Sequence, residues 1–137
     1  MRILDRLQPL ALLLLRLTLG AIMVAHGYHK VFGGLHHYAD WIASLGLPRW
    51  TAYLSCFTEF LGGLLVLAGL FTRLAAFAIC IDLAIAIWKV DWHSGLIGGY
   101  ETSLAVATLA FLLIFFGAGP IAMDHVLRGG SSGGKAK

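Results

Sequence analysis

The chain has 137 residues, 59% of them hydrophobic and only 12% charged, about half the charge of a typical soluble domain. That balance excludes an ordinary soluble enzyme; the length excludes two independent domains and leaves room for about four membrane spans. The net charge of +3 is spread over chain ends and loops, and without a basic run it reads as a topology signal, with no nucleic acid implied.

Residues 1–8 form a short polar lead with Arg2, Asp5 and Arg6. Pro9 opens a first span that runs to about Phe32, proline being tolerated in a first helical turn. No small-residue cleavage site follows this run, so it is read as a retained span. Arg16 interrupts it, and His26-Gly27-Tyr28-His29-Lys30-Val31-Phe32-Gly33-Gly34 closes it. Ionisable groups at membrane depth are costly unless they face a protein interior, which makes this cluster a functional candidate. Tyr38, Trp41, Ile42 and Leu45 then share one face of a short interfacial helix.

The second span, about 50–71, carries Glu59 and Gly62-Gly63. Thr72-Arg73 is a short turn at the inner rim, which makes spans two and three antiparallel neighbours. The third span, about 74–92, contains Asp82 and Lys89, and a glycine-rich loop with His93 leads to a fourth at about 100–121 that starts with Glu101. Residues 129–137 read as a flexible low-complexity tail, open to being partly an expression remnant. The expectation is all-α: a four-helix transmembrane bundle forming one integral membrane domain over residues 1–128, with a short interfacial helix between spans one and two.

Arg2, Arg6, Arg73, Arg128, Lys135 and Lys137 fall toward one surface, and only Lys30, Arg49 and Lys89 toward the other. This bias places both termini in the cytoplasm, with Trp41, Trp50, Trp88 and Trp92 as an outer aromatic belt. Cys56 and Cys80 show no CxxC spacing and lie at different depths, which argues for free thiols.

Helical spacing gives each span an inward stripe. These are Arg16, Gly20, Met23, Gly27 and Lys30; Ser55, Glu59, Gly62, Val66 and Gly69; Ala75, Ala78, Asp82, Ala86, Lys89 and His93; and Glu101, Ala105 and Thr108. Small residues let membrane helices approach, and polar ones find partners across the seam. Plain packing explains many of the glycines, but fewer of the charges. Arg16 and Asp82 match in depth from the inner end and are expected to form a structural charge pair. His26, His29, Lys30, Glu59, Lys89, His93 and Glu101 crowd the outer half. They exceed what ion pairing requires, so a ligand or proton site is expected there, against the blander reading of a structural network. His26 and His29 with His93 are weak evidence for haem, and no metal is assigned.

Taken together, Arg16-Leu17…Gly20, His26-Gly27…Lys30…Phe32-Gly33, Glu59-Phe60…Gly62-Gly63, Gly69-Leu70-Phe71-Thr72-Arg73, His93, Tyr100-Glu101 and Gly117…Gly119…Asp124 resemble the DoxX family of small bacterial membrane proteins. The resemblance covers nearly the whole span region, from Arg16 to Asp124. It implies a four-span protein of the bacterial cytoplasmic (inner) membrane. Some relatives are associated with quinol oxidation linked to thiosulfate respiration, others with oxidative-stress complexes, and many have no established activity. Carried over as positions of importance are His26, Lys30, Glu59, Arg73 and Glu101, but not Asp82.

The leading functional expectation is a redox-linked membrane subunit that binds a quinone, quinol or similar amphipathic molecule at His26, Lys30, Glu59, His93 and Glu101. Whether it is itself an enzyme is left open. The chain shows no electron carrier of its own, so a redox partner protein would have to supply electrons. The other expected partners are the lipid bilayer and a second copy in a homo-oligomer. The alternatives are a non-enzymatic docking subunit of a membrane oxidoreductase or stress-response complex, and a small-molecule or proton transporter.

Overall fold

A computed structural model describes residues 1–131. The order is α1 (Arg2–Ser44), α2 (Arg49–Ala68), α3 (Thr72–Ala86), α4 (Glu101–Phe116) and α5 (Met123–Ser131), with no strand among the described residues. Three segments are long and apolar enough to cross a bilayer: Arg2–Ser44, Arg49–Ala68 and Leu96–Phe116. The outward side chains Leu14, Leu61, Phe77, Phe111 and Phe115 are all exposed. An apolar exterior around internally hydrogen-bonded helices is what lipid demands of a multi-pass membrane protein.

α1 begins earlier than expected, at Arg2, and encloses Pro9 instead of opening on it. It also continues past the glycine pair. Gly34, at φ 142°, leaves helical geometry and kinks the chain there, a conformation that costs glycine little and any other residue much. The limb beyond the kink buries Ala39 and Ile42 against Ala52 of α2. α3 is helical for 15 residues, about 22 Å at 1.5 Å per residue. A wider turn over Ile87–Asp91 extends it. Of the expected tail, Gly129 to Ser131 complete α5, and residues 132–137, including Lys135 and Lys137, lie outside the described residues.

α1 packs on α2, α2 on α3, α3 on α4, and α4 returns to α1. The core is Leu19 and Met23, Val66, Ile79 and Leu83, and Val106, Ala110 and Leu113, one group from each of α1 to α4. The α1–α2 seam is tight because it is lined with glycine. A Cβ on Gly27 would stand 2.5 Å from the backbone nitrogen of Phe60, and one on Gly63 would stand 2.8 Å from that of Val24. The inward stripes expected for α1 and α2 are therefore the packed faces.

α3 and α4 depart from expectation. The buried face of α3 is Ala75, Ala76, Ile79 and Leu83, while Ala78, Lys89 and His93 are exposed. In α4 the expected stripe of Glu101, Ala105 and Thr108 is exposed, and Val106, Ala110 and Leu113 face the core. Thr108 needs no partner across a seam because its hydroxyl donates to the Leu104 carbonyl of its own helix at 2.8 Å.

Candidate functional site

The far end from the histidine cluster is held by Arg16. α2 stops in a Schellman turn: Gly69 is left-handed at φ 71°, Leu70 N–H donates to Leu65 O at 2.9 Å and Gly69 N–H to Val66 O at 3.1 Å. The buried guanidinium of Arg16 then donates to Val66 O and Leu67 O, each at 3.0 Å. It also donates to Ala118 O at 3.0 Å and Ile121 O at 2.5 Å in the α4–α5 connection. A cation there satisfies helix-end carbonyls and opposes the negative end of the α2 dipole. The expected Arg16–Asp82 pair is therefore not formed. Equal depth said nothing of direction, and Arg16 turns to carbonyls instead.

Thr72 and Arg73 form the first turn of α3, after a bend at Gly69–Phe71. The Asp124 carboxylate accepts from Phe71 N–H at 2.9 Å and Thr72 N–H at 3.2 Å, capping α3 from across the chain. Arg73 Nη2 donates to Phe115 O at 3.3 Å. This end of the bundle is a clasp.

The other end holds a cavity of about 240 Å³ to which all four long helices contribute: Met23, His26 and Lys30 from α1, Glu59 from α2, Leu83 and Ala86 from α3, Ser103 and Val106 from α4. Tyr38 and Trp41 complete its wall from the limb beyond Gly34. Lys30 Nζ donates to Glu59 Oε1 at 2.9 Å, and lies 4.7 Å from the centre of the Tyr38 ring, within cation–π range. Glu59 is 5% exposed, yet its second oxygen, Oε2, is buried without a hydrogen-bond partner among the described residues. An unsatisfied buried acceptor is expensive unless something comes to meet it. His26 Nδ1 lies 2.8 Å from Ile22 O; the carbonyl can only accept, so Nδ1 carries the proton of that bond. Asp91 and Ser103, joined at 2.9 Å, stand on the α4 side.

Of the five expected ligand-binding residues, the structure brings His26, Lys30 and Glu59 together and leaves two outside. His93 is exposed and lines a separate shallow depression with Trp88 and Trp92. Glu101 is exposed and accepts from Gly98 N–H at 3.3 Å, steadying the loop before α4. Lys89 covers the Trp88 ring at 4.1 Å. Tyr38 and Trp41 were expected on the apolar face of an interfacial helix; they are cavity walls as well. Gly33-Gly34 was the available signal, since a glycine pair ending a helix lets the chain fold back over its own last turn. Cys56 and Cys80 are free thiols.

The family model described as DoxX matches residues 11–92. That range contains Arg16, His26, Lys30, Glu59, Arg73 and Asp82 and ends before His93 and Glu101. The chain is 31% identical over 122 residues to the protein named "Putative oxidoreductase CatD" of Bacillus subtilis (strain 168), across 89% of this chain and 90% of that protein. It is 27% identical over 128 residues to an uncharacterized protein of Haemophilus influenzae (strain ATCC 51907 / DSM 11121 / KW20 / Rd), across 89% of this chain and 94% of the other. No solved structure matches it.

Proposed function

This chain belongs to the DoxX family, and on that footing we propose that it is a redox-linked membrane subunit whose cavity takes the ring of a quinone, quinol or similar amphipathic molecule. The observation that carries this reading is Glu59: a buried, ion-paired carboxylate that lines a cavity built by four helices and keeps one oxygen without a hydrogen-bond partner among the described residues. The volume of about 240 Å³ sits just below the range usual for whole small-molecule sites, roughly 300–1,000 Å³. It suits a ring head whose tail stays in lipid. A bound quinone would take up electrons that a partner protein supplies, together with protons from the site. Lys30, with ammonium protons left over from its bond to Glu59, donates to a ring oxygen. Glu59 bonds the hydroxyl of the quinol form and takes or gives its proton. The name of the Bacillus subtilis relative is consistent with a redox role.

In the proposed arrangement α3 and its extension to Asp91 form a fourth span, both termini are cytoplasmic in the inner membrane, and the limb after Gly34 lies at the outer interface. The basic residues Arg2, Arg6 and Arg73 sit at the clasp end and the four tryptophans at the cavity end. A transporter is the weaker alternative, because Leu19, Val66, Ile79 and Leu113 fill the space between cavity and clasp without a polar path.

The test is titration of the purified protein with a short-tailed quinone, followed by quenching of Trp41, in the wild type and Glu59→Gln. Loss of a charge-assisted hydrogen bond worth about 1.5–3 kcal/mol should weaken binding roughly tenfold or more, with thermal stability kept. Unchanged binding with a lowered melting temperature would mean that the ion pair is purely structural.

A further inference from the structure

Asp82 is an ionisable group within the bundle that neither the clasp nor the cavity uses. It lies on α3, and its Oδ2 is buried without a hydrogen-bond partner among the described residues, as Glu59 Oε2 is. Its neighbours are the Ser55 hydroxyl, the Glu59 carboxylate and the Cys56 thiol from α2, and the Lys30 ammonium from α1. α4, also packed on α3, has no ionisable side chain from Thr102 to Phe116. Two carboxylates therefore share one cation in an apolar interior. A buried charge left without a counter-charge is neutralised sooner than tolerated. Lys30 lies 2.9 Å from Glu59, whereas among the described residues Asp82 has no cation at that range.

We propose that Asp82 and Glu59 form a proton-holding pair: one exchangeable proton rests on Asp82 and passes to Glu59 at the cavity. In the exchange the Asp82 O–H bond breaks and a bond to Glu59 Oε2 forms; Asp82 becomes the anion, Glu59 becomes neutral, and no electron moves. Ser55, one helical turn from Glu59 on the same face of α2, brings its hydroxyl to Asp82. This deepens the cavity reading by naming where its proton is kept. The inference about resting protonation needs no ligand, so its failure would leave quinone binding standing.

The test uses the full chain in lipid vesicles near neutral pH, treated with the apolar carboxyl reagent dicyclohexylcarbodiimide, which requires a protonated acid, and mapped by peptide mass spectrometry. The expected result is an adduct on Asp82, none on Glu59, and no adduct in Asp82→Asn. Infrared spectra of the same two proteins give a second measurement that needs no reagent access: the carbonyl stretch of a protonated carboxyl, shifted in D2O, is expected in the wild type and absent from Asp82→Asn. An adduct on Glu59 alone, or infrared spectra without that difference, overturns the proposal.

Discussion

Arg16 Nη1 donates to the carbonyl oxygen of Ile121 at 2.5 Å, across 105 positions of the chain. With its bonds to Val66, Leu67 and Ala118, one side chain ties α1 to the end of α2 and to the connection before α5. Arg16→Gln should therefore cost several kcal/mol, since each hydrogen bond to a charged group is worth about 1.5–3 kcal/mol. Thermal unfolding in detergent checks it. Asp82→Asn, which strands no partner of Arg16, should fall well short of that loss.

The Asp124 cap gives a smaller and separable effect. Asp124→Ala removes the acceptor of Phe71 N–H and Thr72 N–H, and such caps are worth about 0.5–2 kcal/mol. Phe71 sits in the left-handed region at φ 48°, so Phe71→Gly should recover part of the loss in the double variant. A double variant no more stable than Asp124→Ala would show that the bend is not strained.

Glycines in the two halves of the cluster at the end of α1 should behave differently. Gly27→Ala drives a methyl into the Phe60 backbone at 2.5 Å, and forced overpacking typically costs about 1–3 kcal/mol. Gly33→Ala meets nothing nearer than His29 Nδ1 at 3.8 Å and should be neutral or gain up to about 1 kcal/mol through a stiffer unfolded chain. Melting temperatures of the two variants side by side decide it.

Glu101 separates the geometry from the resemblance. It was expected among the binding residues, but its carboxylate steadies Gly98 on the exposed loop. Glu101→Gln should leave quinone affinity within about twofold, far below a change of 1.4 kcal/mol or tenfold. A loss matching that of Glu59→Gln would place Glu101 in the cavity after all.

These cases show where sequence reasoning reaches and where it stops. The inward faces of α1 and α2 were legible because glycine and charge at helical spacing mark a seam, and Gly20, Gly27, Glu59 and Gly63 are all buried. α4 was opaque because it is apolar on nearly every side from Leu104 onward, and the one polar residue of that stretch, Thr108, is exposed and bonds to its own helix. The partners of Arg16 are backbone carbonyls, which carry no sequence signature. Lys30 and Glu59 were legible by charge and depth. Their companions Tyr38 and Trp41 depend on a kink at Gly34 that spacing along a straight helix does not describe.

The central claim is that a quinone-like ring sits between Lys30, Glu59, Tyr38 and Trp41. Photo-crosslinking of the membrane-embedded protein with an azido-quinone, mapped by mass spectrometry, tests it most directly. The account predicts adducts on Met23, Tyr38 or Trp41, suppressed by excess unmodified quinone and by Glu59→Gln. Adducts confined to Trp88 and Trp92, beside His93, or labelling that excess quinone does not displace, would contradict it.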